Sequence, residues 1–304
     1  VVPHVLSRIE WALEPLVPAG APVVATPPAY MHFLVIPGLT GRPCIDVPLI
    51  EHPEATTCAD RWDLDLAGIE KAFADGARAI ILCQPYNPVG KVFTRDELAA
   101  LAEIVAKYDG IVISDEIHAP LTVPGVQHVA YAGVSETAAS HCVTVTSASK
   151  SFSMPGLPCA TVTLHSQEMA DRFTANAHPD HLYGATTLGI EANVAAFTDG
   201  DEWLDGARET IARNARRTKE FVDAELPGVT YTPGDATYLA WLDFREAGLG
   251  EDPSTWLLEN ANIWLNPGHD FGEAGRGFVR LNLATTAAIL DDGLDRIKQA
   301  LAQR

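Results

Sequence analysis

Three short runs of apolar and β-branched residues constrain the fold of this chain more than any other feature: Ala79–Cys83 (A-I-I-L-C), Gly110–Ser114 (G-I-V-I-S) and Cys142–Thr146 (C-V-T-V-T). The first is continuously apolar, which predicts a strand covered on both faces, and the other two are apolar and β-branched enough to predict buried strands rather than exposed edges. Between the first two, Thr94-Arg95-Asp96-Glu97 has the spacing of a capping box, and helical periodicity continues through Lys107. Buried strands alternating with helices predict a mainly parallel central sheet of the α/β class. Further strands are expected at Ala21–Thr26, at Arg42–Leu49, whose prolines suit an edge, and at Ala160–Leu164. Val5–Leu16 and Asp65–Asp75 have helical spacing.

Open parallel sheets bind ligands beyond the carboxyl ends of their strands. Tyr30, Asn87, Asp115, His118 and Lys150 each fall just after a predicted strand, which would set them along one rim. Individually they say little. The N-P-V-G stretch at Asn87–Gly90 is a turn signal, an aromatic such as Tyr30 commonly serves packing, and S-A-S-K alone reads as a lysine in a polar surface loop. A partly desolvated lysine just past a buried strand, however, can form a Schiff base with a carbonyl. Asp115, close to the core, needs a cationic partner or several donors.

Together these residues meet the demands of a phosphorylated pyridine aldehyde. Lys150 supplies an amine for the aldehyde and Asp115 a carboxylate that keeps the ring nitrogen protonated. Asn87 and His118 supply donors for the phenolic oxygen, and Tyr30 a face for stacking. The hydroxyls of Ser147 and Ser149 suit the phosphate, as do backbone N–H groups of the helix starting near Val1 and Val2.

Glu202–Leu226 is an amphipathic stretch long enough to connect two bodies, and beyond Pro227-Gly228 the pattern changes. Short strands are expected at Val229–Thr232, Thr237–Phe244 and Gly277–Leu283, with helices at Ser254–Asn260 and Leu290–Ala302. The expected division is a large α/β domain over residues 1–205 and a smaller α+β domain over 206–304.

With 21 Lys and Arg against 40 Asp and Glu, the net charge of -19 argues against nucleic acid or an anionic membrane as partner. Five widely spaced cysteines without a C-x-x-C pair predict free thiols in a reducing, cytoplasmic setting, with no metal site. No apolar stretch reaches membrane-spanning length. The chain begins V-V-P-H without Met, as if upstream sequence were absent.

Six stretches carry a resemblance: P-P-A-Y (Pro27–Tyr30), N-P-V-G (Asn87–Gly90), S-D-E-I-H (Ser114–His118), S-A-S-K-S-F (Ser147–Phe152), T-Y-L-A-W-L-D-F (Thr237–Phe244) and G-R-G-F-V-R-L-N (Gly275–Asn282). In this order the chain resembles the fold-type I pyridoxal-phosphate enzymes of the class I/II aminotransferase superfamily. Within them it is most similar to the MalY/PatB group of cystathionine β-lyases. The resemblance implies an aspartate aminotransferase-like transferase fold, pyridoxal 5′-phosphate held covalently by Lys150, and Arg280 as the grip on the substrate carboxylate. It implies carbon–sulfur β-elimination on cystathionine or cysteine S-conjugates, giving thiol, pyruvate and ammonia, in a homodimer. Pro158 stands where many aminotransferases have a phosphate-binding arginine, a departure shared by that group. The resemblance also implies a segment of roughly eighty residues ahead of Val1, which is not small against an ordinary domain. An aminotransferase is the alternative within enzymes. A cofactor-binding regulator or inactive truncated relative is the alternative outside them.

Overall fold

The computed structural model describes residues 5–178 and 184–304. Its central sheet holds β1 (Val23–Ala25), β2 (Cys44–Asp46), β5 (Ala79–Cys83), β6 (Ile111–Asp115), β7 (Cys142–Thr146) and β8 (Thr161–Leu164); β3 (Ile50–Glu51) and β4 (Trp62–Asp63) form a separate hairpin. The sheet order is β2-β1-β5-β6-β7-β8, parallel throughout except that β8 runs antiparallel to β7. The proline-flanked β2 lies at the edge, as its sequence predicts. All five residues of β5 and of β6 are buried, because helices cover both faces of the sheet. One of these, Arg95–Lys107, starts with the predicted capping box: Thr94 Oγ1 accepts from the Glu97 backbone N–H while the Glu97 carboxylate accepts from the Thr94 backbone N–H.

The C-terminal part forms a second, antiparallel sheet in the order β11-β12-β10-β9, with β9 (Thr230–Tyr231), β10 (Leu239–Asp243), β11 (Asn266–Pro267) and β12 (Phe278–Asn282). Two hydrophobic clusters underlie the two sheets. The first surrounds β1, β5, β6 and β7 and also takes in Trp241, Phe271 and Phe278. The second joins Ile211, Ala215 and Val222 to the second sheet and to the helix Ala287–Ala302. The predicted connecting helix runs unbroken from Asp201 to Glu225, so a division at 205/206 lies inside it.

A backbone joint ties the two parts together at the N-P-V-G turn. The Gly90 carbonyl accepts from both the Asp235 and the Ala236 N–H groups at 3.0 Å. Gly90 has φ +83°, and a Cβ there would lie 2.8 Å from Gly234 Cα, so glycine is required on both conformational and steric grounds. All five cysteines are free thiols, and no helix among the described residues is long and apolar enough to cross a membrane.

Candidate active site

The pairing register puts Cys83, Asp115 and Val145 side by side at the carboxyl ends of β5, β6 and β7. The turns that leave this row carry the predicted residues. Tyr30, Asn87, Asp115, His118, Ser147, Ser149, Lys150 and Arg280 all line one cavity of about 460 Å³. Val1 and Val2 lie outside the described residues.

Asp115 ends β6 and is buried, with a single hydrogen bond to its carboxyl group, from the Ile117 backbone N–H to Oδ1 at 3.1 Å. Among the described residues it has neither of the expected kinds of support, a cationic partner or several donors. Burial therefore pushes the carboxyl up to about 7, aided by the neighbouring charge of Glu116, while the Ile117 N–H and Lys150 pull it down. His118 is equally buried, and its Nδ1 has no hydrogen-bond partner among the described residues. Burial, with the positive charges of Lys150 and Arg280, pushes its imidazole down to about 3. The edge of the Tyr238 ring holds it from one side, with centroids 5.6 Å apart.

These two shifts oppose each other in the cofactor-free protein. Native Asp115 keeps its proton up to about 7 whereas an unfolded aspartate releases it near 3.8, so this group makes the fold less stable as pH rises from about 4 to 7. Native His118 stays neutral down to about 3 whereas an unfolded histidine protonates near 6.5, so this group makes the fold less stable as pH falls through the same range. The Asp115→Asn variant is expected to lose thermal midpoint on acidification from pH 6.5 to 4 more steeply than the parent. His118→Asn should do the reverse. Parallel midpoint-against-pH curves for all three proteins would contradict the assignment.

Lys150 departs from expectation. It lies in a one-turn helix, Ala148–Ser151, whose Ala148 and Ser151 are buried while Lys150 is exposed rather than partly desolvated. The reason is that it stands between two cavities, the one just described and a second between Leu121, Trp203, Ile211 and Ala284, so little packs over its stem. Among the described residues its Nζ makes no hydrogen bond or ion pair. Lys91 provides the contrast: it is 1% exposed, and its ammonium bonds Asp63, Glu97 and the carbonyls of Ala59 and Trp62. One lysine is fully committed to the scaffold and the other is free for chemistry.

Ser147 caps the Lys150 helix, accepting from the Ser149 N–H at 3.1 Å, and its hydroxyl lies 2.6 Å from the Cys159 carbonyl. That hydroxyl is therefore already engaged, which leaves Ser149 the freer of the two predicted phosphate donors. Tyr30 is half-buried, its ring tilted against His32 and edge-on to Phe33.

Arg280, on β12, lies opposite Trp241 of β10 and Asn266 of β11. Its Nη1 donates to Asn87 Oδ1 at 3.0 Å and its Nη2 to Asn266 Oδ1 at 2.9 Å, and its guanidinium sits 4.8 Å from the Phe271 ring centroid. No carboxylate among the described residues pairs with it. Sequence reasoning missed Asn266 and Tyr238. Asn266 reads as part of an N-P-G turn, and only the β11–β12 pairing puts it beside Arg280. Tyr238 follows Thr237, a buried β-branched residue at φ +71°, an outlier that the sequence does not announce.

Among the described residues, an imidazole nitrogen without a partner, a buried carboxylate with one donor, a guanidinium with no carboxylate partner and an amine with no partner in one cavity fit the donor and acceptor pattern of a phosphorylated pyridine aldehyde carrying an amino acid.

Comparison with known proteins agrees. A family model described as aminotransferase class I and II matches residues 10–297. The cystathionine beta-lyase of Corynebacterium glutamicum is 37% identical over 99% of this chain and 77% of its own length. The cystathionine beta-lyase PatB of Bacillus subtilis is 32% identical over 99% of this chain and 76% of its own. The solved structure of cystalysin from Treponema denticola, which contains a pyridoxal 5′-phosphate cofactor, superposes with a TM-score of 0.91 at 30% identity, covering 99% of this chain and 76% of that one. The fold is thus that of the pyridoxal-phosphate-dependent transferases, and the chain belongs to the class I and II aminotransferase family.

Proposed function

We propose that this protein is a pyridoxal-phosphate-dependent carbon–sulfur β-lyase. It takes cystathionine or another cysteine S-conjugate and water to a thiol, pyruvate and ammonia. The observation that carries the proposal is the convergence of Lys150, Asp115, His118 and Arg280 on one cavity, each with a functional group unspent within the fold. The lyase outcome is supported by the relatives: those named cystathionine beta-lyase reach 37% and 32% identity, whereas a relative named as an aminotransferase, from Bacillus subtilis, reaches 26%.

When bound, pyridoxal phosphate supplies an aldehyde for an amine and a ring that accepts the electrons released at the substrate Cα. In this reading the Lys150 amine anchors the aldehyde and, once displaced by substrate, removes the Cα proton. Asp115 would hold the ring nitrogen by accepting its hydrogen bond. His118 and the Asn87 amide, whose Oδ1 is already taken by Arg280, would hold the phenolic oxygen, and Tyr30 would give the ring a stacking face. Ser149, with Ser147 and backbone N–H groups, would hold the phosphate. Arg280 grips the substrate carboxylate through the donors that Asn87 and Asn266 leave free. The division into a larger and a smaller domain, the cytoplasmic setting and a homodimeric assembly belong to the same proposal. The two hydrophobic clusters support the division, and the exposed Leu188, Val194 and Phe197 on one helix support a second copy as partner.

Purified protein supplied with pyridoxal phosphate and L-cystathionine is expected to release thiol and pyruvate in equal amounts without a keto-acid acceptor. Acceptor-dependent amino transfer without thiol would establish an aminotransferase instead. Cofactor binding with no turnover of any amino acid would establish the regulatory reading.

A further inference from the structure

The turn that presents Asp115 and His118 has a second face, which the proposed chemistry leaves unused. Glu116 does not line the cavity and is buried, 4% exposed. Its Oε1 accepts from Ser114 Oγ and from the Tyr131 backbone N–H, both at 3.0 Å, and its Oε2 lies 2.8 Å from His128 Nε2. Its backbone is equally fixed: the N–H donates to the Val145 carbonyl and the carbonyl accepts from the Ala119 N–H, both at 2.9 Å. A loop staple needs a donor and an acceptor; it does not need a carboxylate one residue from the buried acid of an active site.

We propose that Glu116 is a positioning residue for the reaction: it fixes the turn that carries Asp115 and His118, and its buried carboxylate, next to Asp115 in the chain and outside the cavity lining, favours positive charge on the cavity side.

The physical ground is like-charge interaction at short range in a poorly solvated setting. A buried carboxylate next to Asp115 in the chain makes Asp115 hold a proton more tightly when the cavity offers none, and strengthens its hold on a protonated ring nitrogen when one is present. The other groups around the pair leave room for this effect. Asp115 is faced by the Cys83 thiol from β5, by Lys150, and by Tyr30, with His118 and Arg280 lining the same cavity. Glu116 is faced by Ser114, His128, the Tyr131 N–H and the Cys142 thiol of β7. Burial pushes both thiols well up, Cys142 to about 12, so they stay neutral over the working range. Glu116 and Lys150 remain as the charges bearing on Asp115. His128 bonds Oε2 of Glu116, the oxygen not taken by Ser114 and Tyr131.

The test begins with cofactor-free protein, so it does not depend on the cavity being a pyridoxal-phosphate site. Thermal midpoints are measured from pH 4 to 8 for the parent, Asp115→Asn, Glu116→Gln, Glu116→Asp, and each Glu116 variant combined with Asp115→Asn. In each background, the difference made by Asp115→Asn traces the titration of Asp115. Glu116→Gln keeps the shape and removes the charge, and is expected to move the centre of that titration down by at least half a pH unit, about a threefold loss of proton affinity. Glu116→Asp keeps the charge and shortens the reach; it should cost stability at every pH and leave the centre in place. An unmoved centre in Glu116→Gln, or an equal movement in both variants, overturns the proposal. Failure of Glu116→Gln to fold would assign the residue to the scaffold and overturn it as well.

The second arm uses pyridoxal phosphate, which Glu116→Gln should bind at least threefold more weakly by absorbance titration, with Glu116→Asp nearer the parent. This arm rests on the functional reading above. If no protein, parent included, binds the cofactor, that reading fails, and the cofactor-free arm alone decides the proposal for Glu116.

Discussion

Replacement of Lys150 by alanine is expected to lower release of pyruvate from L-cystathionine by about 10⁴-fold, because under the proposed mechanism it removes both the covalent anchor of the cofactor and the base for the Cα proton. A positioned general base alone is worth about 10² to 10⁴ in rate. The fold should be almost indifferent, since an exposed side chain with no partner contributes at most about 0.5 kcal/mol. The two readouts must therefore separate. Thermal midpoint stays with the parent, while turnover and the visible absorption band of the lysine-bound cofactor disappear. Borohydride treatment followed by peptide mass analysis should place the fixed cofactor on Lys150 in the parent, and on Lys91 in neither protein. A variant that keeps the band and even a tenth of the activity would remove Lys150 from the mechanism.

The second large effect is expected at Arg280. Arg280→Met keeps an apolar stem beside Phe271 and removes the guanidinium, so under the proposed mechanism the substrate carboxylate loses two charge-assisted hydrogen bonds. At about 1.5 to 3 kcal/mol for each bond to a charged group, less what water restores, kcat/KM should fall by about 10² to 10³. Arg280→Lys should recover little of this, because a single ammonium cannot make two parallel bonds while also holding Asn87 and Asn266. The diagnostic comparison is a decarboxylated analogue of the substrate. The parent should handle it about as poorly as Arg280→Met handles the intact amino acid, and the substitution should hardly change it further. An equal loss on both compounds would mean that Arg280 only supports the fold.

Much of this site can be placed from sequence because strand burial and turn position are local signals. Ala79–Cys83 and Cys142–Thr146 name their own strands, and a parallel sheet then sends Asn87, Asp115 and Lys150 to the same edge. What the sequence withholds depends on partners distant along the chain. The Arg280–Asn87 bond spans 193 positions, and Asn266 reaches Arg280 only through antiparallel pairing of strands whose register no local pattern sets. The exposure of Lys150 is hidden for the same reason: a buried strand before a lysine says where the lysine begins, while the space around its stem is set by Leu121, Trp203 and Ile211, far off in sequence. Ser147 shows the converse. Its hydroxyl looks available for phosphate until the geometry gives it to a helix cap and to the Cys159 carbonyl.

The Gly90 joint bears on how the chain can be recombined with its relatives. The N-P-V-G turn belongs to the first sheet by descent along the chain, yet its carbonyl is held by Asp235 and Ala236 and its asparagine by Arg280. A chimaera with a single crossover in the long helix would pair one parent's turn with the other parent's loop across a contact only glycine allows. The exchangeable unit is therefore discontinuous. Residues 87–90 have to travel with the C-terminal half, while Lys91 stays with its partners Asp63 and Glu97, and a crossover that carries 87–90 along should keep the Arg280–Asn87 contact of its donor.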